Sequence, residues 1–369
     1  MLNRSKTAMK AKQFFFPGTH PAGVEPPREA VSVDDQLIRQ LKARAAKLPI
    51  EGELAPFAGA TGWINSPPLS PADLRGKVVL VDFWTFTCVN WLRTFPYVRA
   101  WAQKYGDKAL VVVGVHTPEF PFEGDIDNVR KQAKALGVEY PIAVDTNYGV
   151  WRAFDNNYWP ALYLADAQGR IRAHQFGEGA YEMSEMVLQQ LLADAGFSVF
   201  RDDLVTVQPA GTQVGADLST LESGETYTGH EQAEGFASPG GAVPDEPRTY
   251  TVPTRLNLNE WALSGDWTIT GRAAVLNQAN GRIAFRFHAR DVNLVMGPPK
   301  GAPSVPFRVF IDGKTAGGAD GSDVDGRGQG TADDQRLYQL VRQRGRIEDR
   351  TFEIEFLAAG AEAYCFTFG

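Results

Sequence analysis

Cysteine is nearly absent: Cys88 and Cys365 are the two in a chain of 369 residues. Such a pair cannot build a disulfide framework, and its scarcity fits a reducing compartment. Basic charge is also short, with 37 Lys and Arg against 44 Asp and Glu and a net charge of -7. That balance argues against the positive footprint a nucleic acid requires, so neither DNA nor RNA is expected as a partner. No run of about 18 apolar residues occurs, so no transmembrane helix is expected. The N-terminus opens on basic residues but has only Phe14 to Phe16 where a secretory signal carries about 7 to 15 apolar residues. The expected location is cytoplasmic, or periplasmic if the start is misassigned. The five histidines show no ligand spacing with one another or with cysteine, so no metal or other cofactor is expected.

Against these absences stand 43% hydrophobic and 22% charged residues, an ordinary globular balance, and a length suited to about two to three domains. Residues 1–49 read as a mobile arm followed by a short helix, "DDQLIRQLKARAAKL", with Leu37, Ile38, Leu41, Ala45 and Leu48 at helical spacing. Residues 50–196 alternate continuous apolar runs, "KVVLVDFW" and "ALVVVGVH", with the helical patterns "LRTFPYVRAWAQKYG" and "NVRKQAKALG". Two strands around a turn at Asp166 to Gly169 and a closing helix, "EMSEMVLQQLLADAG", complete the order βαβαββα. This predicts an α/β domain with a central mixed, mainly parallel sheet. Residues 197–224, rich in Gly, Pro, Ser and Thr, read as a linker. Residues 225–369 switch to period two, as in "RIAFRFHAR" and "TFEIEFLA", and predict an all-β jelly-roll sandwich.

In an α/β sheet, chemistry gathers where strands end and helices begin. Cys88 lies between a strand ending near Phe83 and a helix starting near Asn90. There the positive end of the helix favours thiolate, the nucleophilic form. The alternative is an inert, packed cysteine. In "VDFWTFTCVNW" a dithiol enzyme would carry a second cysteine at position 91, which is Trp91.

These residues carry a resemblance. "VDFW" followed by Cys88 is similar to the thioredoxin superfamily, with Asp82 and Trp84 ahead of the cysteine and Pro96 behind it. "YWPALYLAD", containing Trp159 and Pro160, resembles that family's cis-proline loop. The extra helical segment after "VVVGVHTPEF" resembles the TlpA-like and AhpC/TSA (redoxin) branches. "HTPEF", "AFDNNYWPALY", "RLYQLVRQ" and "DRTFEIEF" resemble the thioredoxin-like plus jelly-roll C-terminal region of DipZ-type cytochrome c biogenesis proteins, without their membrane portion.

The resemblance implies that Pro160 is cis and faces Cys88, and that Asp82 is a buried carboxylate able to accept a proton. A strand-end Asp bonded to a backbone amide is the plainer alternative for Asp82. In the peroxidase version of the family, Thr85 is the hydroxyl that orients a peroxide, although Val81 replaces the proline expected before it. Around this set, Trp84 and Trp91 form an apolar wall or simply core, and Asn90 caps or orients the helix. Arg93 supports a thiolate or an anionic partner, or is a solvated arginine. His116, ending the second strand, tunes the thiol or is structural.

Two further signals read as bland. "ADGSDVDGRGQG" imitates a calcium loop but lacks the first and twelfth ligands, so a hairpin loop is expected. Cys365 reads as a small buried hydrophobe. Tyr227, Trp261, Trp267 and Tyr338 offer either sugar-stacking faces or sandwich core.

The expected function is a monothiol thiol-disulfide oxidoreductase in which Cys88, lacking an internal partner, is resolved by an external thiol reductant after attack on a disulfide. A one-cysteine peroxidase acting on a peroxide substrate, and a non-catalytic module binding a glycan or protein ligand, are the alternatives.

Overall fold

The structure, a computed structural model, describes residues 48–199 and 203–369. The expected arm lies outside them, as does the short helix up to residue 47. The described residues divide into two compact units between Gln208 and Pro209. No described helix is long and apolar enough to cross a membrane.

The first unit contains strands β1 (Gly52–Glu53), β2 (Gly62–Ile64), β3 (Val78–Trp84), β4 (Leu110–His116), β5 (Ile142–Val144), β6 (Ala161–Ala165) and β7 (Arg170–Phe176). They form one sheet in the order β1-β7-β6-β3-β4-β5-β2. All seven residues of β3 are buried, as its unbroken apolar run requires of a strand covered on both faces. The sheet is mixed rather than mainly parallel. β3–β4 and β4–β5 run parallel, whereas β6 and β7 reverse direction around Asp166–Gly169, where Gly169 takes φ +83. Helices α1 (Pro71–Leu74), α2 (Val89–Tyr105), α3 (Ile126–Leu136), α4 (Gly149–Ala153) and α5 (Tyr181–Asp194) flank it.

Helix α2 buries Trp91, Leu92, Phe95, Val98, Trp101 and Tyr105, an apolar stripe at helical spacing. Pro96 sits inside it. Helix α3 starts on the Asp125 side chain, which accepts from the Asp127 amide, and stops at Gly137 with φ +74. The short pair β5 and α4 is absent from the predicted order, since three and five residues are too few to show a period.

The strands of the second unit pair with one another antiparallel: β8 (Thr226–Tyr227), β9 (Pro247–Tyr250), β10 (Trp261–Ile269), β11 (Ala274–Leu276), β12 (Gly281–Phe287), β13 (Asp291–Gly297), β14 (Val305–Ile311), β15 (Lys314–Thr315), β16 (Gln329–Ala332), β17 (Arg336–Arg342), β18 (Arg350–Phe356) and β19 (Glu362–Phe368). It is the jelly-roll sandwich expected, with β10 serving two sheets. Residues 261–264 of β10 pair with β12, and 267–269 pair with β11. The predicted alternation appears in the register: Ile283 opposes Ile354 and Phe285 opposes Phe352 inside, while Arg282 and Glu355 form an ion pair of 2.9 Å on the other face.

Trp261, Trp267 and Tyr338 are fully buried in this core, so they offer no face to a sugar; Tyr227 remains half-buried. Cys365 is buried. In the calcium-like loop, Asp325 accepts from the amides of Arg327 and Gln329, and Asp323 pairs with Arg336 at 2.8 Å. These carboxylates are committed to the turn and to an arginine.

Candidate functional site

Strand β3 ends at Trp84, and the turn Thr85–Thr87 carries the chain to Cys88. The amide of Cys88 donates to the Thr85 carbonyl at 3.2 Å, closing that turn. Cys88 itself is the N-cap of α2, and its carbonyl accepts the first helical bond, from the Leu92 amide at 3.0 Å. It is half-buried and outside any disulfide. The helix thus starts one residue earlier than expected. Asn90 lies inside its first turn and is not the cap.

Beneath the turn lies a buried carboxyl. Asp82 Oδ2 accepts from Trp91 Nε1 at 3.0 Å and from the Tyr140 hydroxyl at 3.1 Å. Oδ1 is equally buried and has no hydrogen-bond partner. Burial pushes the Asp82 pKa up to about 6, with the bonds from Trp91 and Tyr140 opposing the shift. Trp91 therefore spends its N–H on Asp82 from the position where a second thiol was sought. Its ring stacks on Trp84 with centroids 4.3 Å apart, and both indoles are fully buried. They are core, as their size favours.

His116 is also sealed. It pairs with Trp84 in the β3–β4 register, stacks on Phe86 at 5.5 Å and meets the edge of Trp84 at 4.8 Å. Its Nε2 lies 3.4 Å from Thr85 Oγ1, and Thr85 is fully buried. Burial holds the His116 pKa down to about 3, so at neutral pH the ring is uncharged and supplies no cation to a thiolate. Arg93 is not the solvated arginine of the plainer expectation: its side chain is buried and ion-paired with Glu178 at 2.9 Å.

The Trp159–Pro160 bond is cis. Pro160 is buried, and its carbonyl accepts from the Gly177 amide at 2.9 Å. Trp159 is half-buried against Trp151, with centroids 4.2 Å apart.

The structure adds a residue that the sequence did not disclose. Glu123, fully buried in the one-turn 3-10 helix Pro121–Gly124, accepts through Oε1 from Thr87 Oγ1 at 2.6 Å and from the Thr87 amide at 3.3 Å. Through Oε2 it accepts from the amides of Glu119 and Phe120 at 2.7 and 2.9 Å. Burial raises its pKa, and its hydrogen bonds, Thr85 and Thr87 among them, oppose the rise. No local pattern in "EFPFEGD" marks this residue; the signal is its placement beside a turn 36 residues away. Among the described residues no group of three or more His, Cys, Asp and Glu side chains is arranged to hold a metal.

Both units have relatives among known proteins. The redoxin family matches residues 65–191, and the thioredoxin like C-terminal domain family matches residues 223–369. Protein DipZ of Mycobacterium tuberculosis is 40% identical over 258 residues, covering 69% of this chain and 36% of DipZ. The match thus spans little more than a third of that relative's length. The thiol-disulfide oxidoreductase YkuV of Bacillus subtilis is 30% identical over 138 residues, covering 37% of this chain and 93% of YkuV. A solved thioredoxin-like protein in its oxidized form is 29% identical, with 40% of this chain and 99% of that one covered and a TM-score of 0.37.

Proposed function

This chain belongs to the thioredoxin-like thiol-disulfide oxidoreductases, in their redoxin branch, and from that premise we propose that it works with one thiol, that of Cys88. The Cys88 thiolate attacks one sulfur of a substrate disulfide. A mixed disulfide forms, and the other substrate sulfur leaves as a thiolate and takes a proton. An external thiolate then attacks the substrate sulfur of the mixed disulfide and expels Cys88 as thiolate. Electrons pass from the external thiol to the substrate disulfide, and Cys88 ends unchanged.

The observation that carries this reading is Trp91 bonded to Asp82. No sulfur stands within the motif to release a mixed disulfide, and the buried Asp82 carboxylate is engaged by an indole and a phenol. The N-cap position supports the nucleophile, because unpaired amides and the positive end of a 17-residue helix favour negative charge there. Pro160, Trp159 and Asn90 shape the approach to the sulfur, and Trp84 and Trp91 exclude water beneath it. Thiol exchange is favoured over peroxide reduction because the Thr85 hydroxyl is buried toward His116, whereas a peroxidase needs that hydroxyl at the peroxide.

The test is to mix the reduced protein with oxidised glutathione and analyse it by mass spectrometry. One glutathione adduct on Cys88, released by added dithiol and absent from Cys88→Ser, is expected. A Cys88 that takes no adduct while Cys88→Ser is folded and identical in behaviour overturns the reading.

A further inference from the structure

We propose that Glu123 is a positioning residue for Cys88, acting through Thr87, the residue immediately before the nucleophile. The proposal deepens the thiol-exchange reading and rests on it. Two oxygens offer about four acceptor sites, and here Thr87 supplies two donors and the amides of Glu119 and Phe120 supply the others. A proton on either oxygen would turn one donor against another, so the geometry suits the ionised, acceptor-only form.

The consequence is mechanical. The turn Thr85–Thr87 leaves β3 with its amides and hydroxyls in a buried setting, where each needs a partner. For Thr87 both partners come from one carboxylate that is itself fixed to the backbone of the loop after β4. The ring of Phe86 reinforces the clamp, lying between His116 at 5.5 Å and Phe122 at 6.0 Å. Because Cys88 is the N-cap, the direction in which its sulfur leaves the backbone, relative to the first-turn amides, follows from where Thr87 is held. An apolar contact could close the same turn without burying a charge. A carboxylate instead fixes both the backbone and the side chain of one residue, through bonds that are directional.

Thr87→Val removes the hydroxyl donor at nearly constant shape, Thr87→Ser retains it, and Glu123→Gln removes the acceptor for one pair of donors. Second-order rate constants of Cys88 with iodoacetamide across pH, and with oxidised glutathione, are read beside thermal midpoints. The expected result is a rate about tenfold lower in Thr87→Val and in Glu123→Gln, the scale of one charge-assisted hydrogen bond. Thr87→Ser should stay near wild type, and the Thr87→Val/Glu123→Gln double variant should be no slower than the slower single one. If Thr87→Val and Glu123→Gln lower the thermal midpoint but leave both rates and the pH profile at wild-type values, the residue is only structural and the proposal is overturned. Should Glu123→Gln fail to fold, the Val and Ser variants at position 87 decide alone. A wild-type Cys88 that alkylates but never exchanges with glutathione sinks the thiol-exchange reading instead, while the alkylation rates still decide the role of Glu123.

Discussion

Trp91 Nε1 donates to Asp82 Oδ2 across 3.0 Å, so the side chain standing where a dithiol partner would be is bonded to the buried carboxylate beneath the site. The pair is held on one side by the stack of Trp91 on Trp84 and on the other by the Tyr140 hydroxyl. Trp91→Phe preserves most of the stacking area and deletes the donor. A buried acceptor stripped of one bond costs about 1–3 kcal/mol. We expect that loss of stability in chemical denaturation above the Asp82 pKa of about 6, and a smaller loss well below it, where the carboxyl is neutral. A loss of equal size in both conditions would show that packing, not the bond, is what Trp91 supplies.

Asp82 also gives the fold a pH dependence of definite sign. Its folded pKa, about 6, lies above the ordinary 3.8 because burial disfavours the charge. The stability it contributes is therefore complete below the unfolded value and is lost as pH rises through about 6, to a total of about 3 kcal/mol. Asp82→Asn keeps an oxygen for Trp91 and Tyr140 and cannot ionise. Denaturation midpoints of the variant and the wild type should approach each other near pH 4 and diverge toward pH 8, with the variant more stable there. Parallel curves across that window would remove Asp82 from the account.

Which parts of this arrangement were legible in the sequence follows from range. The β3 strand announced itself because seven consecutive apolar or enclosed residues admit few other placements, and α2 because its stripe recurs every three to four residues. Cys88 was legible from its position between them. Glu123, Tyr140 and Glu178 were not, since each acquires its partner across dozens of residues and nothing local distinguishes it from a surface polar residue. Arg93 misled for the same reason: a helix-surface arginine and a buried ion-paired one look alike until Glu178 is brought beside it.

His116 predicts a second pH effect of opposite sign. Burial holds its pKa near 3, below the ordinary 6.5, so the neutral ring is the form the fold accepts. Its contribution is complete above about pH 6.5 and is lost as pH falls toward 3, up to about 5 kcal/mol. His116→Gln should cost some stability at neutral pH through the lost contacts with Phe86 and Trp84. Between pH 6 and pH 3, though, its stability should fall less steeply than that of the wild type. Proton uptake on acid unfolding, measured by potentiometric titration, should drop by close to one. An unchanged uptake would mean that His116 is already charged in the folded protein.

The second unit offers a test independent of the thiol. Strand β10 changes sheets at Gly265, where the backbone takes φ +95, in the left-handed range that side chains resist. A Cβ there would stand 3.0 Å from Gly281 Cα, and one on Gly281 would stand 2.2 Å from Leu276 Cδ1 and 3.0 Å from Trp267 Nε1. The corner is thus two glycines packed face to face, with the Trp267 indole donating to the Ser264 carbonyl at 2.8 Å beside them. Gly265→Ala pays both backbone strain and a backbone contact that cannot rotate away, about 2–4 kcal/mol together. That loss should appear in the unfolding of the sandwich, read from the fluorescence of Trp261 and Trp267, while alkylation of Cys88 in the first unit keeps its wild-type rate. If the variant is as stable as wild type, the strand does not turn its corner at this residue.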